Sequence, residues 1–343
     1  MKKLAKMAGA AVMCAGILFA SISCGSLDFS GLLGGLSSGL QTPSLAFRSL
    51  AISGLDMEGI SFKCDYDITN PYNVAVTLSS LAADISCNSS KVTSLSANEG
   101  ISLAANGTKT NSFDFKLPYT AVLDLAKTIA SSKESLPFSI AGSAGLDLSA
   151  VPGLSNKSLS LPFSKGFDVP VVKPSLSLSN PKLVLPALSE IVTSLKNSGM
   201  TATKAASLAA SLVGGEPVDA NALNGVDLPL KVNFDLSVKN EGSSAWNYIL
   251  NSIALTSGDG SVINLAATEN TVSSPSGTLP VTATINTLTA GRFVTQIINK
   301  TGTNPKFLFD SSVSFPGLGS SARVPLAYST EVALSRFGVA KSN

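Results

Sequence analysis

Histidine is absent from all 343 residues. That absence removes the Ser-His-Asp triad, the histidine general base and every histidine-ligated metal site. Charge is scarce as well: Asp, Glu, Lys and Arg together make up 13% of the chain, roughly half the share of an ordinary globular protein. There are four cysteines, none of them in a Cys-x-x-Cys pair, which leaves out zinc ribbons and thioredoxin-type redox centres. No G-x-x-x-x-G-K phosphate loop occurs. Aromatic residues amount to 6% and are scattered, without the basic interleaving that stacks and neutralises a single strand of nucleic acid. What is present is apolar: 44% of the chain is hydrophobic, too much for a disordered polymer. The length allows about two domains.

The N-terminus reads as a bacterial export signal, residues 1–23. Lys2, Lys3 and Lys6 form a basic start and Met7 to Ala20 an uncharged apolar stretch. That stretch is shorter than the roughly 20 residues a bilayer-spanning helix needs, and the Gly/Ser-rich segment beyond it offers no stop-transfer pattern. Ser21-Ile22-Ser23-Cys24 resembles a lipobox, with small residues at the first and third positions before the cysteine. Cys24 is therefore the expected lipidation site and mature N-terminus, and its acyl chains the expected membrane anchor, since two or more chains hold a protein firmly. The 24 basic residues less the three leader lysines leave 21 against 22 acidic residues, a formal net charge of −1. With no basic stripe left to neutralise phosphates, nucleic acid is not an expected partner. The Gly, Ser and Leu of residues 24–42 make a flexible tether, and the expected location is the cell envelope, on the periplasmic side or at the cell surface.

Past the tether the chain repeats itself once. Phe62 to Asn70 and Val232 to Asn240 align at an offset of 170 and alternate strictly. Phe62, Cys64, Tyr66 and Ile68 fall on one face of the first segment, and Val232, Phe234, Leu236 and Val238 on one face of the second, so each is a strand with one wet face. Three further landmarks follow in the same order: Pro43-Ser44-Leu45 with Pro174-Ser175-Leu176, Pro152-Gly153-Leu154 with Pro316-Gly317-Leu318, and Leu161-Pro162-Phe163 with Val324-Pro325-Leu326. Four ordered matches imply a duplicated domain. The change of offset from 131 to 170 calls for an insertion in the second copy, and residues 186–225 fit it. Leu188, Ile191, Val192 and Leu195 share one helical face there, and Ala205, Leu208, Ala209 and Leu212 share another, with Gly199 and Gly214-Gly215 as stops. Shorter helices are expected at Ala121 to Ser131 and Ala290 to Asn299. The architecture is then mainly β: two tandem fibronectin/immunoglobulin-like sandwiches, residues 43–172 and 173–338, each with a short helix, and a helical hairpin inserted in the second.

The strand from Ile60 to Asn70, the Pro71-Tyr72 that follows and the second strand from Val74 to Ile85 resemble the late embryogenesis abundant type 2 domain, also called the water-stress and hypersensitive-response domain. In that family an alternating strand ends in Asn-Pro-Asn or a near variant and a second strand follows at once. The resemblance covers Pro43 to Val172 and, more weakly, Pro174 to Leu334, where Asn240 is followed by Glu241-Gly242 and the proline is missing. It implies a loose association with dehydration and envelope stress. Asn70-Pro71 itself reads as a structural turn, because Asn bonds its own backbone and Pro sets the dihedral where a strand reverses.

Reactive constellations are thin. Asp65 and Asp235 hold equivalent outward positions, with Asp67 beside the first, but no Asp-rich loop gathers the six or more oxygens of a calcium site, so they read as solvated strand carboxylates. Gly35 to Gly39 matches a nucleophile elbow without a base. Ser179-Asn180-Pro181-Lys182 and Lys300-Thr301-Gly302 match fragments of the penicillin-recognising signature, but Pro181 is wrong for the helix that the serine should open. No cofactor and no metal site is expected. Cys64 and Cys87 are the two cysteines left in the mature body, and both readings stay open: a disulfide worth about 3 kcal/mol, or two buried thiols. The expected function is a non-catalytic structural, stress-protective or protein-binding role. The alternative is an apolar ligand, such as lipid, held at a sandwich end under the inserted hairpin, whose Leu188, Ile191, Leu195, Leu208 and Leu212 otherwise pack on each other and on their own sheet.

Overall fold

The computed structural model describes residues 41–97, 100–129, 133–154, 158–256, 262–265, 270–272, 276–318 and 323–341. The export signal, Cys24, most of the tether and the Gly35 to Gly39 motif lie outside them.

Alternation of apolar and polar residues dictates most of the fold. The first half runs β1 (Ser44–Leu55), β2 (Gly59–Thr69), β3 (Val76–Cys87), β4 (Ser90–Ala97), β5 (Ile101–Leu103), β6 (Thr108–Pro118), α1 (Tyr119–Ile129), β7 (Ser135–Asp147) and β8 (Ser158–Pro170). The second half runs β9 (Pro174–Leu185), α2 (Leu188–Asn197), α3 (Ala202–Gly214), β10 (Pro229–Asn240), β11 (Asn247–Thr256), β12 (Val262–Leu265), β13 (Asn270–Val272), β14 (Ser276–Asn286), α4 (Thr287–Asn299), β15 (Lys306–Ser314), β16 (Val324–Glu331) and β17 (Gly338–Lys341). With the α2–α3 hairpin and β17 set aside, the two halves pass through the same elements in the same order. The hairpin stands where the offset arithmetic puts it.

The strand partners also correspond. β1, β2 and β6 form one face of the first sandwich, as β9, β10 and β14 do in the second. β8, β7 and β3 form the opposite face, with β4 and β5 both on the outer edge of β3. β16, β15 and β11 do so in the second half, with β12 and β13 on β11. The register agrees to the residue: Ser44 and Leu45 face Thr69 and Ile68, while Ser175 and Leu176 face Lys239 and Val238.

The greasy faces meet between the layers, as burial of apolar surface requires. Phe62, Cys64, Tyr66 and Ile68 are all buried, and so are Val232, Phe234, Leu236 and Val238. Aromatic pairs span the gap: Phe62 with Phe167 and Phe47 with Phe163 in the first half, Phe234 with Phe307 and Phe309 in the second. Trp246 and Tyr248 belong to this core, and Tyr328 stacks on Phe309 at its margin.

Each half locks its helix to the turn between its first two long strands. Tyr119 donates its hydroxyl to the Asp56 carbonyl at 2.8 Å and its N–H to the Glu58 carbonyl at 3.0 Å. Thr287 does the same with the Val226 and Leu228 carbonyls. In the hairpin, Ile191, Leu195, Ala205, Ala209 and Leu212 are fully buried, and Gly215 closes α3 in the left-handed conformation that suits glycine.

The halves are not beads on a string. β16 pairs in parallel with β1 through Leu326 and Leu55, so one face of each sandwich joins into a single sheet in the order β12-β11-β15-β16-β1-β2-β6. β17 carries ordered strand on to Lys341, past the domain end expected at residue 338, and pairs in parallel with β9.

Candidate functional site

The turn that carries the family resemblance is built around one buried amide. Asn70 is fully buried at the end of β2. Its Nδ2 donates to the carbonyls of Val74 (2.9 Å), Ala104 (2.9 Å) and Leu103 (3.3 Å), and its Oδ1 accepts from the Tyr72 N–H at 3.0 Å. A buried polar group must be satisfied in this way, and the cluster ties the β2–β3 turn to the loop after β5. Pro71, next in line, fixes the backbone dihedral and has no N–H to satisfy. Both residues work as structure.

Asn240 repeats the design. Its Nδ2 donates to the Ser244 carbonyl at 2.7 Å and its Oδ1 accepts from the Gly242 N–H at 2.9 Å, the same spacings along the chain as at Asn70. Here, however, Oδ1 also accepts the Lys173 N–H at 2.9 Å, and Glu241 N–H donates to the Lys173 carbonyl at 2.9 Å. A proline at 241 would forfeit that bond, which explains why this turn lacks one. Gly242 lies so close to the first half that an added Cβ would sit 2.0 Å from the Val171 carbonyl oxygen. Ser243 and Ser244 donate their hydroxyls to the Lys133 and Glu134 carbonyls, and Lys173 pairs with Glu241 at 2.6 Å. The second turn has become the seam between the halves.

Cys64 and Cys87 are buried free thiols. They do not sit on neighbouring strands of one sheet: Cys64 is on β2 and Cys87 on β3, in opposite layers. Burial, helped by the Asp65 charge, pushes the Cys64 thiol up to about 12, and burial raises Cys87 as well. Neither is suited to nucleophilic work.

The strand carboxylates spend themselves on neighbours. Asp65 accepts the Ser49 hydroxyl at 2.7 Å, Asp235 the Asn180 amide at 2.8 Å, and Asp67 the Thr110 hydroxyl at 2.6 Å with Arg48 at 3.7 Å. Ser179 to Lys182 lies within strand β9, so its serine opens no helix. Among the described residues no cluster of three or more Cys, Asp or Glu could hold a metal ion, and no helix is long and apolar enough to cross a membrane.

A cleft lies along the side of the first sandwich, where edge strands β4 and β6 of opposing layers stand apart. It has a volume of about 370 Å³ and is lined by Leu81 and Ala83 of β3, Ser94, Leu95 and Ser96 of β4, and Phe113 and Asp114 of β6. Two positions before Phe113, on the same apolar side of β6, the Asn111 Nδ2 is buried with no hydrogen-bond partner among the described residues. The strand register makes Leu279 its counterpart in the second half, since Asn111 faces Tyr66 as Leu279 faces Leu236. There the corresponding edges, β12 and β14, are in contact. This cleft was not anticipated. Its one sequence signal is Asn111, where the apolar side of β6 that carries Phe113, Phe115 and Leu117 turns polar. The ligand site expected at a sandwich end was to be covered by the hairpin, but the hairpin's buried side chains are engaged in packing and Leu188 is 50% exposed.

Residues 65–155 match the family model described as "Late embryogenesis abundant protein". Among solved structures, a putative late embryogenesis abundant protein determined in solution shares 15% identity at a TM-score of 0.33, over 41% of this chain and 78% of its own. A protein of Arabidopsis thaliana, also in solution, shares 12% identity at 0.32, over 40% and 88%. A crystal structure from Archaeoglobus fulgidus shares 12% identity at 0.28, over 38% and 97%. No curated protein matches.

Proposed function

We propose, from the match of residues 65–155 to the late embryogenesis abundant family model, that the protein is a lipid-anchored component of a bacterial envelope with a non-catalytic, stress-protective or partner-binding role. The second half, from Pro174 to Leu334, is on this reading a second domain of the same family, its buried Asn240 doing the work of Asn70. One observation carries the reading. The residues of the family-like turn are consumed by backbone hydrogen bonds, so what the sequence repeats is a scaffold rather than a reaction centre.

The anchor is tested first. Cys24→Ser should move the protein from the membrane to the soluble fraction and abolish acyl labelling; a variant that stays on the membrane overturns the anchor. The role is tested by deletion, which should lower survival of drying and osmotic upshift and be restored by the wild-type gene. Unchanged survival removes the stress reading.

The side cleft supports a second reading, in which the first sandwich holds an apolar chain. Such sites are mostly apolar with a few polar groups for orientation, and Asn111 is a buried donor with no partner among the described residues. Lipid extraction and mass spectrometry of natively purified protein should return a bound species that Leu81→Trp displaces. A clean extract overturns it.

A further inference from the structure

Every strand of the β1 type in this molecule has its outer edge occupied, and in both cases by a parallel partner. β1 is covered by β16 through the pair Leu55 and Leu326. β9 is covered by β17, in register from Gly338 with Lys182 to Lys341 with Leu185. The two contacts are made at the same place. Leu55 stands opposite Ile60, and Leu185 falls opposite Leu230, which lies 170 residues beyond Ile60. Leu185 is therefore the counterpart of Leu55, and β17 occupies on β9 the site at which β16 meets β1.

The strand that corresponds to β16 in the first half is β8, with Pro162 in place of Pro325 and Phe163 in place of Leu326. Among the described residues β8 ends its sheet, in the order β4-β3-β7-β8, with its outer edge unpaired. The chain thus holds, among the described residues, an unpaired edge of the donor type, on β8, and an acceptor edge, on β9, covered by the short strand β17. An interface that joins unlike surfaces and does not close on itself propagates, and an exposed strand edge is a template for pairing with another chain.

From this geometry we infer that β17 is a displaceable plug, and that the β9 edge it covers is a docking site for β8 of a second copy of this chain. The docked pair would repeat the β16–β1 contact already present inside each molecule, and successive copies would add head to tail. With β17 seated, the acceptor is filled and the chain is a monomer. Because β17 is only four residues long and half-exposed apart from the exposed Lys341, it is the strand suited to exchange.

The test removes residues 338–343, keeping the buried Phe337. Light scattering across a concentration series should show the intact protein as a monomer and the truncated one as a concentration-dependent series of multimers. Register is read with Ser160→Cys and Lys182→Cys placed together in the truncated chain, since Ser160 is the counterpart of Gly338 as a partner for Lys182. An intermolecular disulfide should form on mild oxidation, and should be reduced at least tenfold when β17 is present. A truncated protein that stays monomeric overturns the proposal, as do multimers without that cross-link. Should truncation prevent folding, Val339→Pro in the full chain weakens the same ladder; if it too fails to fold, β17 is an integral strand and the plug is disproved.

Discussion

Asn70 and Asn240 show how much one buried side chain can organise. Each sits at the end of an alternating strand and uses both ends of its amide on backbone groups. Leaving such groups unsatisfied costs about 1–3 kcal/mol apiece. Asn70→Ala should therefore lower the stability of the chain by about 3 kcal/mol, read as a shift of the urea midpoint without a change of slope. Asn70→Asp should be at least as damaging, because a buried carboxylate cannot donate to the carbonyls of Val74 and Ala104. A variant within about 0.5 kcal/mol of wild type would show that the turn does not need its amide. The sequence marks Asn70 as a turn former on local grounds. It does not reveal that the amide reaches the Leu103 and Ala104 carbonyls, more than thirty residues downstream, because that contact exists only once β5 has paired with β3.

At the scale of elements, the β1–β2 turn joins three parts of the first half. The Asp56 carboxylate accepts from the N–H groups of Glu58 (2.8 Å) and Gly59 (3.0 Å) and from Lys116 Nζ on β6 (2.6 Å), while its carbonyl accepts from Tyr119 at the start of α1. Burial by itself would raise the Asp56 carboxyl, but the Lys116 ammonium and the two backbone donors together hold it below its ordinary value of 3.8. A carboxylate held low in the folded state stabilises the fold above its unfolded value, and that contribution is lost as pH falls through the folded value. Stability of the first half should then decline below about pH 4, and Asp56→Asn should flatten this limb while costing about 1 kcal/mol at neutral pH. Denaturant midpoints from pH 2 to 7 provide the check, and an unaltered acid limb in the variant would assign it to other carboxylates. The elements themselves are legible beforehand. The strands read at residues 60–70, 74–85 and 232–240, the inserted hairpin and the two short helices follow from spacing alone, and their ends shift by a few residues.

In the whole molecule the seam decides the behaviour. A shared β16–β1 ladder and the Asn240 turn, seated on residues 133–134 and 171–173, make the two sandwiches one mechanical body. Calorimetry should show a single cooperative transition for the wild type. Gly242→Val would press a branched side chain into the Val171 carbonyl, costing about 1–3 kcal/mol of overpacking, and should split the transition in two. A single unshifted transition would show that the seam does not couple the halves. The missing proline of the second turn acquires its reason at this scale, since Glu241 must keep an N–H for Lys173, a residue of the link between the sandwiches.

By itself the sequence determined what nearest neighbours and periodicity control: strands with one greasy face, turns at Asn and Gly, the position of the insertion, and a composition without histidine. Tertiary structure alone decided which edges meet. The opposite layers of Cys64 and Cys87, the open side between β4 and β6, the ladder joining the halves and the terminal strand on β9 all depend on contacts between distant segments. The physical reason is that strand edges offer the same backbone donors and acceptors whatever their side chains. Their partners are chosen by how the packed layers bring them together.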